Sequence, residues 1–209
     1  MDNSGGMSFR EVLAEPGVTE HLELRSGFGF LAFHGGPVER VTSLIAHRAA
    51  DDADASIYSI DQPAERPIHI PSTRVAPDES SKLARLFSHV TAVCTIHGYG
   101  REKEKQHVLV GGKNRELASH IASHLREHLE DRFPVVSELD AIPRELRGIH
   151  SRNPANLVPG GGVQLELPPA LRWNWDAHNW ADADGLHPTR PVLATIAALA
   201  AAAVTWNAT

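Results

Sequence analysis

The order of apolar and polar residues along the chain predicts strands that alternate with helices. Near-continuous apolar runs at residues 28–33 and 90–96 are typical of strands buried on both faces of a sheet. Apolar residues at helical spacing predict one helix that begins at Pro37 and a longer one that Asn114 caps. We therefore expect an α/β protein, with residues 1–209 in a single three-layer domain whose helices flank an open, mixed, mostly parallel sheet.

The two ends of the chain differ in pattern. Residues 1–6 are polar and Gly-rich, so we expect them to be flexible, and they lack the basic start and apolar stretch of a signal peptide. Residues 188–209 are expected to form an Ala-rich C-terminal helix that is too weakly hydrophobic to span a bilayer. These features predict a cytoplasmic protein without a membrane partner, which lysis would release if a phage carries the gene.

Composition narrows the possible functions only slightly. The formal charge of −6 argues against a nucleic-acid binder, which usually has a basic face. The single cysteine, Cys94, lies in an apolar run, so no disulfide framework is expected and a reducing compartment is permitted. Histidine is abundant, at 13 of 209 residues, and its imidazole suits metal binding and proton transfer near pH 7. The oligomeric state is left open.

Two histidines directly follow apolar runs. His34 follows residues 28–33, His97 follows residues 90–96, and each precedes a glycine. Glu39 is close enough in sequence to reach back beside His34. Because strand carboxyl ends meet at the ligand crevice of an α/β sheet, we expect these three residues to bind one Zn²⁺ with a fourth position open. The alternative is that His34 hydrogen-bonds a turn, that Glu39 stabilises a helix N-terminus and that His97 caps its strand.

Glu166 is the candidate general base. Alternation along residues 163–167 places Gln164 and Glu166 on one face of a strand and apolar residues on the other. A carboxylate in such a strand is costly unless it is paired or functional. Beside zinc, a glutamate that is not a ligand can take a proton from water and pass it to a leaving amine. The alternative is a glutamate on the solvated face of an edge strand.

Other histidines are weaker candidates. His120, His124 and His128 recur every four residues on the long helix, a spacing that can hold a metal ion. No carboxylate pattern accompanies them, so we expect a solvated or half-buried helix face. His69 is a reserve candidate for lining the site.

Five short motifs resemble those of one family. They are FHGGPVE at 33–39, HIPSTR at 69–74, TIHG at 95–98, VGGKN at 110–114 and NPANLVPGGGVQLELPPALR at 153–172. Together they resemble the poly-γ-glutamate hydrolases of phages and bacteria. Two segments depart from the family pattern: the Trp-rich stretch 173–180 and the charge run 101–105. These departures weaken the inference about the substrate more than the inferences about the metal and the reaction type.

The resemblance implies a fold, a site and a reaction. It implies a compact relative of the zinc carboxypeptidases, a metallopeptidase-like hydrolase with an open mixed sheet between helices. Its zinc ligands correspond to His34, Glu39 and His97, and its catalytic carboxylate corresponds to Glu166. The implied reaction is hydrolysis of the γ-amide bonds of poly-γ-glutamate. The alternatives are a zinc amidohydrolase acting on a small N-acyl amino acid and a catalytically inactive, phage-associated binding protein.

An anionic polymer or an acyl-glutamate as substrate requires groups that bind carboxylates and polar atoms. Arg152 and Arg172 lie near the strand of Glu166 in sequence and could stabilise an oxyanion or bind a substrate carboxylate in two hydrogen bonds. Arg172 could instead stabilise the end of that strand. Asn114 and Asn156 are expected to bind polar groups of the substrate.

Overall fold

The structure, a computed structural model, describes residues 6–100 and 105–207. Residues 1–5, most of the segment predicted to be flexible, lie outside the described residues, as do residues 101–104 of the charge run and residues 208–209. The strands of the main sheet are β1 (Thr19–Glu23), β2 (Phe28–Gly35), β3 (Ser56–Asp61), β4 (Ala92–Gly98), β5 (Val108–Gly111), β6 (Val135–Val136) and β7 (Val163–Leu167).

In the described part of the chain these strands form a seven-stranded sheet in the order β1-β3-β2-β4-β7-β5-β6. The four central strands β3, β2, β4 and β7 run parallel. Strand β1 is antiparallel to β3, and β5 is antiparallel to β7 but parallel to β6. The predicted mixed, mostly parallel sheet is confirmed.

Helices cover both faces of the sheet. The helices are α1 (Phe9–Leu13), α2 (Thr42–Ala53), α3 (Ser81–His89), α4 (Arg115–His128), α5 (Pro169–Arg172) and α6 (Arg190–Asn207). Apolar residues of α2, α4 and α6 share one core with the sheet, and those of α1 and α3 share another on the opposite face. This gives the predicted three layers. Helix α6 begins two residues after the predicted start at 188 and extends to Asn207, and the rest of the predicted range lies outside the described residues. No helix of the described residues is long and apolar enough to cross a membrane.

Short elements lie between these helices and strands. They are the hairpin strands β8 (Trp173–Asn174) and β9 (Asn179–Trp180) and the 3₁₀ helices Ser72–Arg74, Pro77–Glu79, Leu139–Ala141, Arg144–Leu146 and Pro154–Asn156.

The side chains of β2 stop alternating regularly between the two faces of the sheet just before the strand ends. Phe30 and Ala32 pack in the core of α2, whereas Leu31 and Phe33 pack in the core of α1 and α3. Strict alternation would place His34 on the same face as Ala32. The pairing of β2 with β3 shifts register between Ala32 and Gly35, as at a β-bulge. Such an extra residue re-aims the side chains that follow it, and the His34 ring lies 5.0 Å from that of His69 and 5.1 Å from that of His97.

The helix predicted to begin at Pro37 begins five residues later, at Thr42. The residues between form a turn in which the Glu39 N–H donates to the His34 carbonyl at 2.8 Å. The Val41 N–H donates to the Asp182 carboxylate at 2.7 Å, and Val41 has a left-handed φ of 78°. The local bond to His34 and the bond to Asp182, which is distant in sequence, hold the segment outside the helix. The prediction of a helix that begins at Pro37, with Glu39 in its first turn, is wrong.

Candidate metal centre

Glu39 lies between the two histidines that end β2 and β4. Its Oε1 is 2.8 Å from His34 Nδ1, and its Oε2 is 3.2 Å from His97 Nδ1. All three side chains are buried, and one ligand atom from each lies within 4.8 Å of the others. Ligands about 2.0–2.1 Å from a tetrahedral zinc ion are about 3.4 Å apart. The predicted triad is therefore assembled at a spacing that could hold a metal ion.

The hydrogen bond of His34 to the backbone determines which ring nitrogen is available. His34 Nε2 lies 2.8 Å from the Ile70 carbonyl oxygen, which can only accept. Nε2 therefore donates to this carbonyl, and Nδ1 is the ring nitrogen that faces Glu39. A histidine ligand held by a carbonyl in this way is the usual arrangement in protein metal sites.

His97 provides a second indication of a ligand. Its Nδ1 faces Glu39, while its Nε2 is buried without a hydrogen-bond partner in the described part of the chain. Burying an unpaired polar nitrogen is costly. A water molecule would supply a partner for Nε2, whereas Nδ1, the nitrogen on the Glu39 side, is the atom that a metal ion would bind. With His34 Nδ1 and the Glu39 carboxylate it forms a donor set that fits a bound cation.

The cluster is strongly coupled electrostatically. Burial opposes the ionisation of Glu39, but the charges and hydrogen bonds of His34 and His97 outweigh it and hold the pKa of that carboxyl well below its usual range. Burial also opposes a charge on His97, but Glu39 raises the pKa of His97 to about 9. Glu39 accepts a further hydrogen bond, from the Gly98 N–H at 3.0 Å. Glu39 is thus ionised, which is the form of a carboxyl group that binds a metal cation.

Glu166 lies beside this cluster on the neighbouring strand. The register of β4 and β7 pairs it with His97, and its side chain is only 4% exposed. Gln164 Nε2 donates to Glu166 Oε1 at 2.8 Å, and Asn153 Nδ2 donates to Gln164 Oε1 at 2.6 Å. Burial raises the pKa of Glu166 to about 7, although the His97 charge acts in the opposite direction. The predicted base is therefore adjacent to the predicted ligands and oriented by two amides.

A cleft of about 820 Å³ opens over the triad and Glu166. One wall is the segment from His69 to Thr73, and the ring of His69 lies 5.0 Å from that of His34. The opposite wall runs from Arg144 to His150. The reserve candidate His69 thus lines the site.

Three of the predicted substrate-binding residues do not line the cleft. Asn114 caps α4 by accepting from the Leu117 N–H at 2.9 Å. Asn156 Nδ2 donates to the carbonyls of Gly148 and His150, at 2.6 and 3.0 Å. Arg152 is exposed and lies outside the cleft wall. The closeness of Arg152 to Glu166 in sequence therefore does not bring its side chain into the cleft wall.

Arg172 also lies outside the cleft. Its side chain is buried beneath the strand ends, where the guanidinium donates to three backbone carbonyls. A guanidinium with these bonds is not free to bind a substrate carboxylate. The alternative expectation, that Arg172 stabilises the end of the Glu166 strand, agrees with this placement.

The cleft contains residues that sequence reasoning did not select. Gln164 was detectable, because alternation places it on the same strand face as Glu166. Arg144 and His150 come from an irregular segment whose direction no periodic pattern reveals. The helix histidines lie elsewhere: His120 Nε2 is 3.1 Å from the Ala202 carbonyl of α6.

Comparisons with known proteins agree with this arrangement. A family model described as poly-gamma-glutamate hydrolase matches residues 8–182. The SPbeta prophage-derived protein YoqZ of Bacillus subtilis (strain 168) is 34% identical over 139 residues, which are 66% of this chain and 47% of that protein. The chain thus spans about half the length of this curated relative.

Two solved structures share the fold. A bacteriophage poly-gamma-glutamate hydrolase superposes with a TM-score of 0.75 at 21% identity, over 91% of this chain and 89% of that one. A metallo-carboxypeptidase from Burkholderia cenocepacia gives a TM-score of 0.50 at 9% identity, over 95% of this chain and 67% of that one. The expected carboxypeptidase-like fold is confirmed.

Proposed function

The chain belongs to the poly-γ-glutamate hydrolase family, and we propose that it hydrolyses the γ-glutamyl amide bonds of poly-γ-glutamate with one zinc ion bound by His34, Glu39 and His97. The observation that carries this proposal is the convergence of these three buried side chains from two neighbouring strand ends, beside Glu166 and under an open cleft. An inactive binding protein would have no need of a buried carboxylate next to the ligands.

The chemistry divides between the ion and the protein. When bound, zinc supplies a Lewis acid that polarises the scissile carbonyl and makes water a better nucleophile. Glu166 accepts the proton of the attacking water and then delivers it to the leaving nitrogen, as general base and general acid. Gln164 holds one oxygen of Glu166 at 2.8 Å, which leaves the other oxygen available for proton transfer.

The proposed substrate also requires a cation in the cleft. Each unit of a γ-linked glutamate polymer has one free α-carboxylate, and the protein itself has a formal charge of −6. Like charges repel, so the cleft must be locally positive for such a polymer to bind. Within residues 6–100 and 105–207, Arg144 is the one Arg or Lys that lines the cleft. We therefore assign the binding of a substrate carboxylate to Arg144.

The segment that carries Arg144 is fixed relative to Glu166. The Leu146 carbonyl accepts from Gln164 Nε2 at 3.4 Å, and the same amide group donates to Glu166. On the other side of Arg144, Ile142 is buried in a small core with Tyr99 and Leu109. Arg144 is thus an exposed side chain on a fixed support, which suits a group that aligns a polymer over the metal centre.

The proposal is tested by incubating the zinc-loaded protein with poly-γ-glutamate and, separately, with α-linked polyglutamate. We expect the γ-linked polymer to shorten with release of one amine per bond broken, a metal chelator to stop the reaction, and the α-linked polymer to remain intact. A γ-linked polymer that stays intact while zinc is bound would refute the assignment of substrate. Efficient cleavage of N-acyl-glutamate instead would identify a small-molecule zinc amidohydrolase.

A further inference from the structure

Arg172 connects the three chain segments that carry the metal centre. Its Nη1 donates to the Arg40 carbonyl at 2.9 Å, its Nη2 to the Tyr99 carbonyl at 3.0 Å, and its Nε to the Leu167 carbonyl at 3.3 Å. Arg40 follows Glu39, Tyr99 is two residues after His97, and Leu167 follows Glu166. One side chain is therefore bonded next to two ligands and the proposed base.

The surroundings of Arg172 leave little space for another arrangement. A Cβ atom added to Gly98 would lie 2.5 Å from the Arg172 Cζ, so a side chain at position 98 would displace the guanidinium. The Trp180 ring lies 5.1 Å from the same Cζ atom, within cation–π distance. A lysine could not replace this contact set, because its ammonium is a point charge without a planar fork of donors.

The burial of Arg172 requires compensation. Its side chain is only 4% exposed, and within the described ranges 6–100 and 105–207 it has no carboxylate at salt-bridge distance. A buried cation without a direct counter-ion is costly. The three carbonyls and the more distant charges of Glu39, Glu166 and Asp182 offset this cost.

We infer that Arg172 is a positioning residue of the metal centre: it holds the segments of Glu39, His97 and Glu166 in the arrangement that binds zinc tightly. This rests on the zinc centre proposed above, because the arginine acts through the ligands and not on the substrate. A positioning role predicts a change in zinc affinity, whereas a role in stability alone predicts a change only in the melting temperature.

The test is the zinc Kd measured by chelator competition for the parent, Arg172→Gln and Arg172→Lys. Loss of a residue that orients metal ligands typically weakens metal binding by about 10- to 100-fold, and we expect this for both substitutions. Leu199→Ala is the control, because Leu199 is buried in the core of α6 and its truncation lowers stability without touching the centre. Its zinc Kd should equal that of the parent.

The outcomes separate this inference from the proposed function. Arg172 variants that fold and bind zinc like the parent would refute the positioning role and leave the zinc centre intact. A parent that does not bind zinc would refute the zinc centre itself.

A second measurement needs no variant. Coupling between two sites is reciprocal, so if Arg172 favours zinc binding, zinc must stabilise the contacts of Arg172. We expect zinc to slow the exchange of the Arg172 Nε–H with solvent in the parent protein. Equal exchange rates with and without bound zinc would overturn the inference even if every Arg172 variant failed to fold.

Discussion

Glu166 is paired with His97 in the register of the parallel strands β7 and β4. Neighbouring strands lie about 4.8 Å apart, so backbone hydrogen bonds, and not a mobile loop, set the distance between the proposed base and a proposed ligand. The same pairing places Gln164 opposite Thr95 and directs it toward Glu166. The arrangement of the proposed base and the proposed ligand is therefore part of the central sheet.

Removal of either histidine ligand should release zinc. His34→Ala and His97→Ala each remove one of three protein ligands from a buried site, and we expect both variants to lose most of a content of about one zinc per chain. His21→Ala is the matched control, since His21 is exposed on the edge strand β1. Metal analysis of the purified variants checks this, and full zinc in either ligand variant would show that the site is wrongly assigned.

Glu166→Gln should separate binding from catalysis. The amide retains the shape of the side chain and a hydrogen bond to Gln164, but it cannot take a proton from water. We expect near-normal zinc content and a fall in kcat of at least about 100-fold. Glu116→Gln, on the exposed first turn of α4, is the control and should keep the parental kcat. Loss of zinc from Glu166→Gln would make Glu166 a ligand, and unchanged kcat would remove it from the mechanism.

Arg144→Ala should weaken binding of the polymer. We expect a higher KM for poly-γ-glutamate with a smaller change in kcat, because the lost interaction is with a substrate carboxylate remote from the reacting atoms. The increase should shrink at high salt, where charges about 10 Å apart are screened. Steady-state kinetics at two ionic strengths provide the measurement.

Two other arginine variants serve as comparisons for the KM of Arg144→Ala. Arg85→Ala is the control, because Arg85 is exposed on α3 and lies outside the cleft wall. Arg152→Ala tests the residue that sequence proximity suggested. If Arg152→Ala raises KM and Arg144→Ala does not, Arg152 binds the substrate carboxylate and the assignment to Arg144 is wrong.

Changing the helix histidines should affect stability and not the metal. His120 Nε2 lies 3.0 Å from Thr205 Oγ1, and His124 Nε2 lies 3.3 Å from the same atom, so these side chains connect α4 to α6. A triple change of His120, His124 and His128 to Gln should leave zinc content and kcat within a few-fold of the parent. The loss in free energy of unfolding should be about 1 kcal/mol per hydrogen bond that is not remade. Loss of zinc from a folded triple variant would point to this cluster instead.

Where the backbone is regular, the sequence predicted which side chains come together, and their roles as ligands and base stay predictions. The ends of two apolar runs identified His34 and His97, and alternation along one strand identified Glu166. Strict alternation along β2 would have placed His34 on the same face as Ala32. The register shift that changes this depends on the pairing of β2 with β3, which the hydrophobic pattern of β2 does not reveal.

Irregular segments were harder to predict. Arg152 and Arg172 lie near Glu166 in sequence, but one is exposed outside the cleft and the other is buried beneath it. The direction of a side chain in a loop depends on tertiary hydrogen bonds, such as those of Asn156 and Gln164, that no local pattern encodes. Arg144 reaches the cleft through such bonds, which is why only the structure identifies it.

The most direct test of the whole account is a titration of zinc into the metal-free protein while hydrolysis of poly-γ-glutamate is followed. We predict no activity without metal, a rise in rate with added zinc, and a plateau at about one zinc per chain, the number expected for a three-ligand catalytic site. Glu166→Gln should bind the same amount of zinc and remain almost inactive. Full hydrolysis by the metal-free protein, or none at any zinc level, would contradict a zinc-dependent poly-γ-glutamate hydrolase.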